Sequence, residues 1–154
     1  MIKVSEVTLL TLDLDDTLWP CMPTIIHAET TSYNWLSQHF PVITQRYSIE
    51  RLRDKRKQLM RQQPELVNDL SEARRAHFRQ LSDELELGYD WIDEGFDVFY
   101  QARQQVTLFE DVISVLGRLK AEFKLVALTN GNAHIQHTGL TDYFDFQVSA
   151  ADVQ

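Results

Sequence analysis

Three carboxylates crowd into four residues near the start of the chain, where Asp13, Asp15 and Asp16 follow an apolar run at residues 7–12. Like charges this close repel one another unless a cation or hydrogen bonds compensate them. Mg²⁺ is a hard cation that prefers carboxylate and carbonyl oxygens. The spacing therefore indicates a divalent-metal site with an aspartate nucleophile. The structural alternative is an Asp-rich turn in which Asp16 caps a helix.

Two apolar runs predict buried strands that end in small polar residues. Residues 7–12 lead into Asp13, and residues 124–129 lead into Asn130. Short runs rich in Leu and Val suit parallel strands covered by helices on both faces, and open α/β sheets bind ligands at the carboxyl ends of such strands. Residues 144–149 form a weaker third candidate. The predicted fold class is therefore α/β with a parallel sheet.

A long helical insert separates the two strands. Residues 20–106 show helical periodicity and no convincing strand, so we predict a body made of residues 1–19 and 107–154 that carries this insert. The expected helices lie at residues 25–40, from Ser48 as N-cap onward, at 64–87 with Gly88 as C-cap, at 91–100 and at 112–119.

The run at residues 51–57 is locally basic and alternates with apolar positions. This pattern predicts a solvated helix face. The alternative is a role in attracting an anionic substrate, because clustered positive charge raises the local concentration of anions.

The stretch Asp13-Leu14-Asp15-Asp16-Thr17-Leu18 resembles the first motif of the haloacid dehalogenase-like (HAD) hydrolase superfamily, Asp-x-Asp-x-Thr-Leu. The apolar run that ends in Thr129-Asn130-Gly131 resembles the second motif. The two motifs in this order around a helical insert resemble capped phosphatases of the flavin mononucleotide and sugar-phosphate type. The resemblance implies a Rossmann-like parallel sheet as the HAD core, with residues 20–106 as a helical cap.

By this resemblance, the protein is a Mg²⁺-dependent phosphatase of small phosphorylated metabolites. Asp13 would be the nucleophile that forms an aspartyl-phosphate, and Asp15 would protonate the leaving alkoxide and then deprotonate the attacking water. The Asp13 carboxylate and the Asp15 carbonyl would hold Mg²⁺, while Thr129 and Asn130 would bind the phosphoryl oxygens. Asp15 favours phosphoryl transfer over carbon–halogen hydrolysis, because dehalogenases of the superfamily do not place Asp there.

Two residues beside the first motif have simpler interpretations. Asp16 receives no catalytic role and is expected to support the turn. Trp19 either forms a wall of the substrate pocket or packs the entry to the cap, and the sequence leaves both interpretations open.

The later motifs of the superfamily, a lysine and one or two further metal-binding aspartates, are not found after the second motif, and no Lys follows Lys124. We therefore expect a C-terminally truncated chain or a shortened homologue, with a catalytic set that is incomplete in this chain. The alternative function is a non-catalytic HAD remnant that binds a partner or phosphate. A phospho-acceptor signalling domain is a third possibility, which the long helical insert disfavours.

The composition of this chain of 154 residues limits the kinds of partner and site that it can have. A net charge of -8 makes nucleic acid a poor partner, and a single cysteine, Cys21, excludes an internal disulfide framework and a multi-cysteine zinc site. No apolar run approaches the roughly 20 residues that span a bilayer. We expect a cytoplasmic protein without membrane or nucleic-acid partners. Truncation would leave the first strand with an open edge, so we also expect a homo-oligomer or a retained C-terminal fragment.

Overall fold

The structure, a computed structural model, describes residues 6–153 and divides the chain into two compact units. The sheet unit comprises the chain up to Met22 together with Gln104 onward, and the helical unit is Pro23–Arg103. The sequence predicted residues 20–106 for the insert. Residues 1–5 and 154, which the sequence assigned to the body, lie outside the described residues.

The sheet unit contains three parallel strands in the order β1-β2-β3, which confirms the predicted α/β class with a parallel sheet. The strands are β1 (Leu9–Leu12), β2 (Lys124–Thr129) and β3 (Phe146–Ser149). The ladder pairs Leu10 with Leu125 and Val126 with Phe146.

Two strands are shorter than predicted at their amino ends. β1 begins at Leu9 and β3 at Phe146, and the residues just before β3 have other roles. Phe144 lies in the core of the unit, and Asp145 both donates its N–H to the Leu125 carbonyl and accepts the Leu125 N–H through Oδ2, each at 2.8 Å. These bonds fix the chain beside β2 before β3 starts.

The core of the sheet unit forms against α6 (Val112–Lys120), the amphipathic helix predicted before the second strand. Leu116 of this helix and Leu125 of β2 are almost completely buried. Burial of a leucine side chain stabilises a fold by about 2 kcal/mol, so this contact contributes strongly to holding the helix on the sheet. The remaining buried members of this core are Leu14, Leu18, Trp19, Val112, Ala127, Ala133, Ile135, Leu140 and Phe144.

The helical unit is built mainly from helices that bury aromatic side chains. The helices are α1 (Cys21–His39), which starts in the last residues of the sheet unit, α2 (Pro41–Arg46), α3 (Ile49–Gln62), α4 (Leu70–Leu85) and α5 (Ile92–Arg103). Trp91 contacts the rings of Trp35, Phe40 and Phe78, and these four aromatics belong to the core of the helical unit. No described helix has the length and apolar character that crossing a membrane requires.

The start of α3 agrees with the sequence. Ser48 has extended backbone angles, and its Oγ accepts the Arg51 N–H at 3.3 Å, as expected for an N-cap. The preceding α2 was not predicted, because a helix of six residues is too short to show a periodic apolar pattern.

The single helix predicted at residues 64–87 is wrong, because the structure breaks it. A 3-10 helix (Pro64–Val67) is followed by Asp69, whose Oδ1 accepts the Glu72 N–H at 2.9 Å and starts α4. The helix then ends at Leu85 with Glu86 as C-cap at φ 55°, so Gly88 is not the capping residue. The apolar periodicity continued across the break and concealed it.

The basic run at residues 51–57 is not a fully solvated helix face, contrary to the main prediction. Arg53 and Arg56 are only partly exposed and point to Glu29 of α1, whose carboxylate is buried. A buried carboxylate requires partners, and these two arginines supply them.

Candidate active site

The predicted site residues follow strands that end at the same edge of the sheet. Leu12 pairs with Ala127, so Asp13 comes next at the carboxyl end of β1, and Thr129 pairs with Ser149 at the ends of β2 and β3. The parallel register therefore brings Asp13 and Thr129 to one edge, the edge at which open α/β sheets bind ligands.

The loop after β1 is fixed by short hydrogen bonds. Leu18 donates its N–H to the Leu14 carbonyl at 2.8 Å, and Asp16 donates its N–H to the Trp19 carbonyl at 2.8 Å. The Trp19 indole N–H donates to Oδ1 of Asp15 at 2.9 Å. Asp13 is exposed at the start of this loop, while Leu14 and Leu18 are buried and attach the loop to the core. The turn thus orients the Asp15 carboxylate and leaves Asp13 accessible in this unit.

Asp16 supports the turn, as the sequence predicted. Its backbone is left-handed at φ 58°, a conformation that Asp tolerates better than most residues because its short side chain bonds locally. The Oδ1 atom accepts the Cys21 N–H at 2.8 Å, where α1 begins. Asp16 therefore shapes the loop through its backbone and accepts the N–H of the first residue of α1 through its side chain.

Trp19 lies completely buried in the core of the sheet unit. This position favours the packing interpretation over a pocket wall. Its indole also gives Asp15 a hydrogen bond, so Trp19 contributes to the site through Asp15. Direct contact between Trp19 and a substrate stays a prediction.

Thr129 and Asn130 differ in burial at the end of β2. Thr129 is buried, and its Oγ1 accepts the Gly131 N–H at 3.0 Å, whereas Asn130 is exposed. A hydroxyl that accepts one bond can still donate its own proton. The turn therefore fixes the Thr129 oxygen at the strand end, where its O–H can serve as a donor to an anion.

Two glutamines that the sequence analysis missed hold the loop after Thr129. Gln104 donates through Nε2 to the Asn132 carbonyl at 3.1 Å and accepts the His134 N–H at 2.8 Å. Gln147 donates to the Ala133 carbonyl and accepts the Ile135 N–H, each at 2.9 Å. The bonded pairs are far apart in sequence, so no local pattern could have indicated these contacts.

The donor atoms near Asp13 suit a hard cation. Between residues 6 and 153, no three His, Cys, Asp or Glu side chains converge on one point. The Asp13 carboxylate and the Asp15 main-chain carbonyl are nonetheless oxygen donors, and Mg²⁺ is commonly held by one or two carboxylates with water and phosphate oxygens completing its shell. These residues fit part of a magnesium shell and not an all-protein cage.

Comparison with known proteins assigns the fold. Residues 7–154 match the family of haloacid dehalogenase-like hydrolases. The chain belongs to this family. Its HAD-like sheet, with the Asp-x-Asp-x-Thr-Leu turn after β1, agrees with the resemblance seen in the sequence.

Two relatives of this HAD-like chain are named for different activities, one a phosphatase and the other a dehalogenase. It is 27% identical to 5-amino-6-(5-phospho-D-ribitylamino)uracil phosphatase YigB of Escherichia coli K12, over 96% of this chain and 63% of YigB. It is 34% identical to a 2-haloacid dehalogenase from Pseudomonas syringae pv. Tomato DC3000, with a TM-score of 0.86 over 96% of this chain and 65% of that one.

A more distant structure, the magnesium-bound putative HAD-hydrolase YfnB of Bacillus subtilis, gives a TM-score of 0.54 at 18% identity, over 92% of this chain and 62% of that one. This likeness shows the fold alone. The HAD-like chain spans less than two thirds of the length of each of these three relatives.

Proposed function

We propose that this HAD-like hydrolase is a Mg²⁺-dependent phosphatase of small phosphorylated metabolites that acts through an aspartyl-phosphate on Asp13. The observation that carries the proposal is the oriented Asp15 carboxylate, two residues after an exposed Asp13 and bonded to the Trp19 indole N–H at 2.9 Å. The phosphatase named among the relatives supports the same chemistry. A cytoplasmic location is part of the proposal.

In the first half of the reaction, an Asp13 oxygen attacks phosphorus and the bond from phosphorus to the substrate oxygen breaks. Asp15, in its protonated form, gives its proton to the leaving alkoxide. The Thr129 O–H and the Asn130 amide donate to the phosphoryl oxygens, whose charge grows in the transition state. The Asp13 carboxylate and the Asp15 carbonyl would hold Mg²⁺, which would supply positive charge to offset that of the nucleophile and the phosphate.

In the second half, water attacks the phosphorus of the aspartyl-phosphate. Asp15, now a carboxylate, takes a proton from that water, and the bond between Asp13 and phosphorus breaks. Inorganic phosphate leaves and the Asp13 carboxylate is restored. The hydrogen bond from Trp19 serves both halves, because it keeps Asp15 in one orientation while the proton moves on and off.

Dehalogenation of a 2-haloacid is the second candidate, favoured by the likeness to the Pseudomonas dehalogenase at 34% identity. In that reaction a carboxylate displaces a halide from carbon. A halide leaves without a proton, so the first step has no use for an acid at Asp15. This chemical difference is why we place phosphatase first.

The two candidates are separated by measuring phosphate release from p-nitrophenyl phosphate and chloride release from 2-chloropropionate, with and without Mg²⁺. We expect phosphate release that requires Mg²⁺, is abolished by Asp13→Asn and falls by about 10²-fold or more in Asp15→Asn. Asp142→Asn, an exposed aspartate of the same unit, is the matched control and should keep full activity. Chloride release alone, or phosphate release that survives Asp13→Asn, would overturn the proposal.

A non-catalytic HAD remnant remains the alternative to an enzyme, and a binding experiment addresses it. Beryllium fluoride mimics a phosphoryl group on a carboxylate, so we expect a Mg²⁺-dependent fluorine NMR signal from the wild type that Asp13→Asn removes. That signal without any turnover would support the remnant, and turnover would exclude it.

A further inference from the structure

A buried ionic cluster lies in the helical unit, in residues to which the proposed phosphatase assigns no role. Both Nε and Nη2 of Arg53 bond Oε2 of Glu29, at 2.9 and 2.6 Å, and Nη2 of Arg56 bonds Oε1 at 2.6 Å. Nη2 of Arg74 lies 3.9 Å from the same Oε1, which is too long for a hydrogen bond. One carboxylate thus faces three guanidinium groups, which leaves two positive charges in excess.

The excess charge is concentrated on the inner side of this cluster. Arg53 also interacts electrostatically with the carboxylates of Glu50 and Asp54, both of which are exposed. Its charge is therefore partly balanced at the surface. Arg74 is buried, and its guanidinium stacks over the Phe99 ring with Cζ 3.2 Å from the ring centroid. The ring compensates only part of a buried charge, since cation–π attraction is weaker than the cost of desolvating an ion.

His77 provides a second, independent observation at the same place. Its side chain is 1% exposed, and neither ring nitrogen has a hydrogen-bond partner within the part of the chain that the structure describes. A buried polar group without a partner destabilises the folded state, so such groups are rare in folded proteins unless a water or an ion satisfies them.

These side chains line one cavity of about 20 Å³, together with apolar residues from α1, α3 and α4. A cavity of about 10–15 Å³ holds one water molecule, so this one admits a single small species with little room to spare. Water could bond His77 but would leave the excess positive charge uncompensated. A monatomic anion satisfies both requirements, and the small interior space favours it over phosphate, which has five heavy atoms.

We propose that this cavity binds a small monovalent anion of the size of chloride, held by Arg56, Arg74 and the ring N–H of His77. The anion compensates positive charge of Arg56 and Arg74 that Glu29 alone does not neutralise. It also links α3 to α4, because Arg56 lies on α3 while Arg74 and His77 lie on α4. The site lies within the helical unit, so it is independent of the chemistry proposed at Asp13.

Thermal unfolding of the full chain tests the proposal when sodium chloride replaces sodium gluconate at constant ionic strength. We expect Tm to rise with the logarithm of the chloride concentration once this exceeds Kd, by roughly 3–5 °C at tenfold excess over Kd. Arg74→Gln should remove the rise, and Arg61→Gln, which deletes the same charge from an exposed position of α3, should keep it. Sodium phosphate under the same conditions should give no such rise above gluconate.

NMR of the wild type keeps the test valid where Arg74→Gln fails to fold. The NMR signals of the His77 ring nitrogens should shift saturably with chloride, and their midpoint should agree with the Kd fitted to the thermal data. Unmoved His77 signals would show that the cavity holds water only and overturn the proposal. A Tm rise of equal size in both arginine variants would also overturn it, because it would be a general salt effect.

Discussion

Neutral amide side chains hold the loop that carries Asn130. A glutamine amide presents one donor and one acceptor group side by side, as a peptide group does, and can therefore bond a carbonyl and an N–H of a neighbouring backbone segment together. Gln104 and Gln147 each do so, on alternate residues from Asn132 to Ile135. The loop is fixed without any charge that would compete for an anionic ligand.

Gln104→Leu is expected to lower the free energy of unfolding by about 2 kcal/mol, because Gln104 is 95% buried and the change removes both of its hydrogen bonds to the loop backbone. Urea unfolding followed by circular dichroism measures the change. Gln101→Leu, an exposed glutamine three residues earlier, should change stability by less than about 0.5 kcal/mol. Equal stability of Gln104→Leu and the wild type would show that the loop does not depend on this side chain.

His77 is held neutral in the folded protein. Burial, and secondarily the positive charges of Arg56, Arg74 and Lys55, lower the pKa of its imidazole from 6.5 to about 3. The unfolded chain therefore binds a proton between these two pH values that the folded chain does not. Stability contributed by this group is complete above pH 6.5 and is lost as the pH falls, by roughly 1.4 kcal/mol per pH unit.

His77→Leu is accordingly expected to flatten the dependence of unfolding free energy on pH between 6.5 and 3, whatever it does to stability at neutral pH. Urea unfolding in gluconate buffers across that range gives the slope. His39→Leu, at an exposed histidine, should retain the wild-type slope. An unchanged slope in His77→Leu would mean that other groups cause the acid sensitivity. Glu29 adds to the loss at lower pH. Burial raises the pKa of its carboxyl, but the bonds from Arg53 and Arg56 lower it more, so its contribution is complete well above pH 4.5 and is lost progressively as the pH falls through the lowered pKa of the folded state.

At the level of elements, side-chain caps decide where the helices of the insert begin. Asp69 separates the 3-10 helix at Pro64–Val67 from α4, although the apolar pattern runs through both. Its carboxylate also lies at the positive end of the helix dipole, which adds to the effect of the hydrogen bond.

Asp69→Ala should lower the free energy of unfolding by about 1 kcal/mol, through loss of the bond to the Glu72 N–H. Chemical denaturation monitored by far-ultraviolet circular dichroism reports on the loss of helix. Asn68→Ala, at the exposed neighbouring position, is the control with an expected change near zero. A similar loss in both variants would show that Asp69 does not act as a cap.

Elements that have a local sequence signature could be predicted from the sequence. Contacts between residues that are distant in the sequence could not. The strands were found from short apolar runs, and α3 from Ser48, because these signals lie within the element itself. The break before α4 escaped because periodicity reports which residues face inward, not whether the helix is continuous. The Glu29 cluster and the two glutamines escaped because their partners come from distant parts of the chain, so only the fold brings them together.

At the scale of the whole molecule, the outer edge of β1 is a candidate surface for association with another chain. β1 is the first member of the order β1-β2-β3, and no strand among the described residues pairs with its other edge. Leu9 is 43% exposed there. Unpaired backbone groups along an apolar strand favour pairing with another chain. We propose that this edge makes the protein a homo-oligomer or retains a C-terminal fragment.

Thr11→Lys is expected to convert such an oligomer to a monomer of 18.0 kDa, because a charged side chain on an edge strand opposes pairing between copies. Size-exclusion chromatography with light scattering and intact mass gives the result. Gln136→Lys adds the same charge at an exposed loop position and should leave the assembly unchanged. A wild-type monomer without a bound fragment would disprove the association.

The pairing of Leu9 with Lys124 also sets an order of events during synthesis. β1 leaves the ribosome early but has no sheet neighbour until β2 is made, whereas residues 23–103 form a compact unit from one continuous stretch. Contacts between distant residues form late, and domains fold as units while the chain grows. A nascent chain arrested before β2 should therefore resist protease across the helical unit and remain cleavable near β1. Every molecule made would pass through a stage in which the insert is folded and the Asp13 loop has no sheet to hold it.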